Sequence, residues 1–162
     1  MKIDFTIFIP TYNAGKSIIS LIQRLKSSQI NKSNIYFVDS SSVDLTISEL
    51  ASAGFNNISI IAASEFDHGG TRVKAKELCH ESIIVYLTQD AQPLSPDDIE
   101  NLVSTFKDDS IGAAYGRQLP YAETNLFGKH LRFFNYTDKS HIYSLNDKMQ
   151  FGIKTAFLSN SF

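Results

Sequence analysis

The chain has 162 residues, close to the ~150 of an average single domain, and carries 15 Lys+Arg against 17 Asp+Glu. A formal charge of −2 excludes the basic excess of a general nucleic-acid binder. With 43% apolar residues and 12 Phe, a largely disordered chain is excluded as well. Cys79 is the one cysteine, so an internal disulfide or a thiolate zinc site is not available, which fits a reducing, cytoplasmic setting.

In chain order, the start lacks the apolar core of a signal peptide, because Asp4 and Thr6 interrupt it. No apolar run reaches the ~18–20 residues needed to cross a bilayer, which predicts a chain without a transmembrane segment. Phe5-Thr6-Ile7-Phe8-Ile9 reads as a strand stopping at Pro10. Ile18, Leu21, Ile22 and Leu25 recur at helical spacing. Ile35–Val38 is a second strand ending at Asp39, and Ile47, Leu50 and Ala51 form a short helical stripe. A third strand covers Ile58–Ile61, followed by a stripe of Ala75, Leu78 and Cys79 that predicts a buried thiol. Ile83–Leu87 is the fourth strand. Like the second, it is a continuous apolar run of the kind buried on both faces.

Ser95-Pro96 is a helix-start signal, with Ser as cap, Pro in the first position and Asp98 three residues after the cap. Ile99, Leu102, Val103 and Phe106 supply that helix's apolar face, and Ile111–Tyr115 is a weaker fifth strand. Beyond Gly116 the rhythm fades, although Leu126, His130, Leu131, Phe133 and Phe134 fit one amphipathic helix. Alternating strands and helices at this spacing predict βαβ units, that is, a mostly parallel sheet flanked by helices.

Ligands of open α/β sheets bind beyond the carboxyl ends of the strands. The segments there are Pro10–Gly15, Asp39–Asp44, Glu65–Arg72 and Thr88–Pro93, all polar. Neither a G-x-G-x-x-G nor a P-loop follows the first strand, so the ligand is not held by those devices. Asp39 has two readings: an acceptor for a nucleoside's hydroxyl or ring N–H, or a cap for the next turn. Asp90 is either a ligand for a hard cation or plain turn chemistry. His68-Gly69-Gly70-Thr71-Arg72 predicts close backbone approach to a ligand, with Arg72 at a helix opening suited to phosphate, against the alternative of a tight loop with a solvated Arg. His68 either bonds the ligand or packs. No nucleophile elbow accompanies any Ser/His/Asp set, which argues against hydrolase chemistry.

Taken together, Phe8-Ile9-Pro10-Thr11-Tyr12-Asn13 and Val38-Asp39-Ser40-Ser41-Ser42-Val43-Asp44 resemble the opening motifs of family-two glycosyltransferases of the GT-A (nucleotide-diphospho-sugar transferase) type. Phe66–Arg72, Leu87–Ala91, Tyr115-Gly116-Arg117-Gln118-Leu119-Pro120 and Phe134-Asn135-Tyr136 are similar to the rhamnosyltransferase branch of that family. The resemblance implies a nucleotide-diphospho-sugar donor, dTDP-L-rhamnose in that branch, and inverting transfer to a cell-envelope glycan or lipid-linked acceptor. It also implies a cytoplasmic enzyme working at the inner face of the membrane, with peripheral association of the full-length protein and no nucleic-acid partner.

By position, the resemblance implies substrate-binding roles for Pro10, Thr11, Tyr12, Asn13, Asp39, Ser41, His68, Gly70, Arg72, Gln89, Asp90 and Arg117. Asp90 matches the last Asp of the family's D-x-D turn and would hold Mg²⁺ or Mn²⁺. Thr88 replaces the first Asp, so cation binding is expected to be weak or optional. Ser40-Ser41 replaces the usual Asp-Gly.

The resemblance places the general base in an acidic pair after an S-N segment. Here Ser159-Asn160-Ser161 is followed only by Phe162, so the expectation is a C-terminally truncated domain whose catalytic base lies beyond Phe162. Residues 1–116 would form the nucleotide-sugar-binding region and 117–162 the incomplete start of the acceptor side of the same domain. The alternative is a non-catalytic or truncated nucleotide-sugar-binding module. A nucleotidyltransferase of related fold fits less well, because Pro10–Lys16 contains one Gly only.

Overall fold

The structure, a computed structural model, describes residues 3–151. They fall into two compact units divided between Gly112 and Ala113. In the first unit, β1 (Phe5–Thr11), β2 (Ile35–Asp39), β3 (Ile58–Ile60) and β4 (Ile83–Tyr86) form one sheet in the order β3-β2-β1-β4. All three pairings are parallel, with Ile7 opposite Ile35, Thr11 opposite Asp39, Phe5 opposite Ile83 and Phe37 opposite Ile58.

Alternation along the strands sends side chains to two cores. Ile7, Ile9, Ile35, Phe37 and Val85 face α1 (Lys16–Ser27), α2 (Thr46–Ser52) and α5 (Asp98–Val103), burying Ile18, Leu21, Ile22, Leu25, Leu50, Ile99 and Val103. Each such side chain contributes about 1.5–3 kcal/mol on burial, so this face carries most of the unit's hydrophobic stabilisation. The opposite face, beyond α3 (His68–Val73), is smaller: Phe8 and Val38 pack with Ala75 of α4 (Ala75–Leu78) and with Cys79, the residue that follows it. Burial, with the nearby Glu81 charge adding to it, pushes the Cys79 thiol up, so it stays protonated and packs as a small hydrophobe.

Several sequence expectations shift. β1 does not stop at Pro10 but runs to Thr11. The β1–β4 pairing ends at Phe8, so the nitrogen of Pro10, which by alternation faces β4, lies where no ladder partner is needed. β3 and β4 each end one residue early, and β4 is only partly buried rather than covered on both faces. Ala51 is exposed, and Thr46 and Ala53 accompany Leu50 inward instead. Ser95 and Pro96 sit in a turn ahead of α5. The Asp98 carboxylate reaches back to the Ser95 N–H (2.8 Å) and the Leu94 N–H (2.7 Å), so the cap signal forms a turn before regular helix begins. Ile111–Tyr115 forms no strand, since Gly112 and Ala113 are exposed and the segment has too few side chains to bury against a sheet edge.

The second unit contains α6 (Leu126–Asn135) and the short α7 (Lys148–Phe151). Asn125 caps α6 by accepting from the Gly128 N–H at 2.8 Å. Arg132 donates to Gln118, and Tyr115 meets Tyr136 edge to face at 6.3 Å. The predicted apolar stripe is present, but Leu126, Phe127, Leu131, Phe133 and Phe134 are all exposed. Ser159–Phe162, on which the expectation about the missing base rests, lies outside the described residues.

Candidate functional site

In the strand order β3-β2-β1-β4 the chain direction of the crossovers reverses between β1 and β4, which makes the carboxyl ends of those strands the switch-point crevice where such sheets bind ligands. The Tyr12–Gly15 loop leaves β1 there. Its four consecutive backbone N–H groups each donate to a side chain from elsewhere in the chain: Tyr12 to Gln89 Oε1 (2.8 Å), Asn13 to Ser42 Oγ (2.8 Å), Ala14 to Thr46 Oγ1 at the start of α2 (2.9 Å) and Gly15 to Asp44 Oδ2 (2.9 Å). The Asn13 side chain answers by accepting from the Val43 N–H at 2.9 Å. Asn13 (φ 43°) and Gly15 (φ 54°) occupy the left-handed half of backbone space, which glycine enters freely and asparagine tolerates.

Asp39 is fully buried. Its carboxylate accepts from Thr11 Oγ1, Ser42 Oγ and the Ser42 N–H, all at 2.7 Å. Thr11, also buried, therefore faces Asp39, and the pair ties the β1 and β2 ends together. Ser41 has φ 61° and donates to the Ile61 carbonyl at 2.7 Å, fastening the β2 turn to the end of β3. Its positive φ gives a physical reason for the glycine usual at this place in the resembling motif.

Ser40 was missed by sequence reasoning. It is 2% exposed, and its Oγ has no hydrogen-bond partner among the described residues. A buried hydroxyl left without a partner is uncommon and costly unless a ligand or water completes it. The available signal was alternation, which turns Ser40 to the opposite face from Asp39.

The His68–Arg72 segment is not the open loop its glycines predict. It forms α3, capped by Asp67, whose carboxylate accepts from the Gly70 N–H. A Cβ at Gly70 would stand 2.7 Å from that carboxylate oxygen, so a side chain there would displace the capping carboxylate. Arg72 lies in the last turn of α3 rather than at its opening, and its guanidinium donates to the His68 carbonyl at 2.6 Å. The His68 ring meets Phe66 edge to face at 5.0 Å. Tyr86 donates to the Arg72 carbonyl at 3.2 Å, and burial pushes its hydroxyl pKa up, so it stays a donor.

Tyr12, 52% exposed, and Asp90, also exposed, are the prominent open side chains at the switch point. Asp90 sits in a turn closed by the Ala91 N–H on the Thr88 carbonyl at 2.9 Å. No group of three or more His, Cys, Asp or Glu gathers at metal-binding distance among the described residues. Arg117 is exposed in the second unit.

Asp44 is held below its ordinary value, chiefly by the Thr46 hydroxyl and then by the Thr46 and Gly15 N–H groups. A depressed carboxyl stabilises the fold above its unfolded pKa and loses that contribution as pH falls through the folded value. Asp44→Asn is therefore expected to melt below the parent at pH 7, with the gap narrowing as pH falls below the ordinary carboxylate range. A melting series from pH 3 to 7 checks this, and a gap of constant size would contradict it.

The parallel sheet, its switch point and its flanking helices define the GT-A glycosyltransferase class of fold. Among solved structures the chain is similar to the mannosyltransferase PcManGT from Pyrobaculum calidifontis in complex with GDP-Man and Mn²⁺. The TM-score is 0.57 at 21% identity, covering 67% of this chain and 33% of that one. It is also similar to S. aureus TarS in complex with UDP-GlcNAc, with TM-score 0.51 at 20% identity, covering 74% and 37%. The sequence matches Glycosyl transferase family 2 over residues 6–162, and the chain belongs to that family. It is 44% identical to the O-antigen chain rhamnosyltransferase WbaN of Salmonella anatum over 98% of its length and 51% of the relative's. It is 43% identical to the O-antigen chain rhamnosyltransferase RfbN of Salmonella typhimurium, covering 100% and 51%. The chain thus spans about half the length of the curated relatives it matches.

Proposed function

We propose that this chain is the donor-binding part of an inverting rhamnosyltransferase, taking dTDP-L-rhamnose and serving transfer to a cell-envelope glycan. The observation that carries the reading is the build of the switch point. The Tyr12–Gly15 loop is held there by Gln89, Ser42, Thr46 and Asp44, while the Tyr12 ring and the Asp90 side chain lie at the surface and the buried Ser40 hydroxyl has no hydrogen-bond partner among the described residues. The names of the relatives at over 40% identity support the sugar.

In this reading the Tyr12 ring and Ser40 Oγ receive the nucleoside, within a loop whose shape Asp39, Thr11, Asn13 and Ser41 maintain. Asp90 would hold Mg²⁺ or Mn²⁺, which when bound offsets the charge of the leaving diphosphate. His68 and Arg72 lie toward the diphosphate end, and Arg117 belongs with the acceptor side, taken as 117–162, against a donor region of 1–116. The acceptor hydroxyl gives its proton to a general base as its oxygen attacks the anomeric carbon from the face opposite the diphosphate. The C1–O bond to dTDP breaks as the new glycosidic bond forms, which inverts the centre. No described helix is long and apolar enough to cross a membrane. The exposed Leu and Phe side chains of α6, with Lys129 and Arg132 on its other side, favour peripheral contact with the inner membrane face.

Calorimetric titration with dTDP-rhamnose, UDP-glucose and GDP-mannose, with and without Mn²⁺, tests the reading. The dTDP-sugar should bind at least about tenfold tighter than GDP-mannose, with Mn²⁺ tightening it further. Asp90→Ala should remove the Mn²⁺ increment while leaving metal-free binding intact. Equal affinity for all three nucleotides would sink the donor assignment. An Mn²⁺ increment that survives in Asp90→Ala would sink the cation site.

A further inference from the structure

Gln89 stands one residue before Asp90, and both polar atoms of its side chain are bonded to one partner. Oε1 accepts from the Tyr12 N–H at 2.8 Å and Nε2 donates to the Tyr12 carbonyl at 3.2 Å. N–H and C=O of a strand residue point to the same side, and alternation places those of Phe8, Pro10 and Tyr12 toward β4. Phe8 has its β4 partner, since its carbonyl accepts from the Leu87 N–H at 3.1 Å. Pro10 cannot donate, and the pairing stops. Two residues later the Gln89 amide, itself a peptide group in miniature, offers Tyr12 the acceptor and donor that a strand would have offered. The ladder ends after Phe8 and is resumed through a side chain at Tyr12.

We propose that Gln89 is a positioning residue: it acts as a substitute strand partner that fixes the Tyr12–Asn13 loop and couples it to the turn bearing Asp90. The other three amides of this loop are held from the β2 side, by Ser42, Thr46 and Asp44. Gln89 supplies the hold from the β4 side. The exposed Tyr12 ring thus has its backbone clamped while its face stays open. Because Gln89 and Asp90 are consecutive, whatever orders the Asp90 turn also orders Tyr12. Linkage requires the converse, so nucleoside binding and cation binding strengthen each other by the same factor. The coupling to ligand rests on the donor-site reading above, whereas the clamp itself does not.

The test uses the whole chain with Gln89→Ala and Gln89→Glu, reading amide hydrogen exchange of Tyr12 without ligand and affinity for dTDP with and without Mn²⁺. In Gln89→Ala the Tyr12 amide should exchange about tenfold faster and dTDP should bind about tenfold more weakly, the scale of one or two lost hydrogen bonds. The factor by which Mn²⁺ tightens dTDP should shrink, although Asp90 is intact. Gln89→Glu keeps an acceptor for the Tyr12 N–H but loses the amide donor for the Tyr12 carbonyl, so its Tyr12 exchange should fall between the parent and Gln89→Ala. Unchanged Tyr12 exchange in Gln89→Ala would overturn the clamp. Weakened dTDP binding with unchanged exchange would make Gln89 a direct ligand contact and overturn it equally. If the parent chain binds no nucleotide, the donor-site reading fails, and the Tyr12 exchange of the variants still decides the clamp.

Discussion

Asp39→Ala should lower the unfolding temperature by roughly 10 °C, the equivalent of about 3 kcal/mol in a domain of this size. The carboxylate is fully buried and receives hydrogen bonds from Thr11 and, twice, from Ser42. Its removal leaves a buried threonine hydroxyl without its acceptor and releases the turn that positions Ser42 against the Asn13 N–H. Thermal melts check the size of the effect, and Thr11→Val, which removes one of the three bonds, should cost a fraction of it. Ser40→Ala is the informative neighbour. Its hydroxyl has no partner among the described residues, so deleting it should leave the melt unchanged or slightly higher. The same substitution should weaken dTDP binding. A destabilised Ser40→Ala with normal affinity would mean that the hydroxyl serves the fold.

The second large effect lies two residues earlier. Phe37→Ala should cost about 3–5 kcal/mol, the range for emptying an aromatic side chain from a packed core. Phe37 is fully buried on the larger face of the sheet and meets Phe55 edge to face with centroids 5.2 Å apart. Phe55 is itself 1% exposed, so nothing nearby is free to close the gap. Denaturant unfolding with an unchanged slope would report this as lost stability. Phe37→Leu, which refills most of the volume, should recover more than half of the loss. Because β2 carries both Phe37 and Asp39, the variant should lose nucleotide binding at temperatures where the parent still binds.

Much of the fold was legible because burial imposes a period on sequence. Ile18, Leu21, Ile22 and Leu25 could form only one helical face, and all four are buried as the spacing requires. The failures occurred where local signals were strong but the surroundings decided. Gly69 and Gly70 resemble a loop, yet the Asp67 cap makes them the first turn of a helix and the clearance at Gly70 serves that cap. Pro10 reads as a strand end, yet β1 continues through it because the side facing β4 has no ladder left to break.

The site divides along the same line. Its location was determined by the sequence alone, since hydrophobic runs define where the strands end, parallel order brings those ends to one edge, and the motifs there belong to family-two glycosyltransferases. Which polar groups remain for a ligand was decided only by tertiary structure. Thr11 finds Asp39 across 28 residues, Asn13 finds Ser42 across 29, and Tyr12 finds Gln89 across 77. A hydrogen-bonding side chain has a small, fixed number of partners, and once a distant loop takes them the residue holds shape. Those partnerships follow from the meeting of strand ends in space, so the roles of Asp39, Ser40 and Gln89 emerge only in the folded chain.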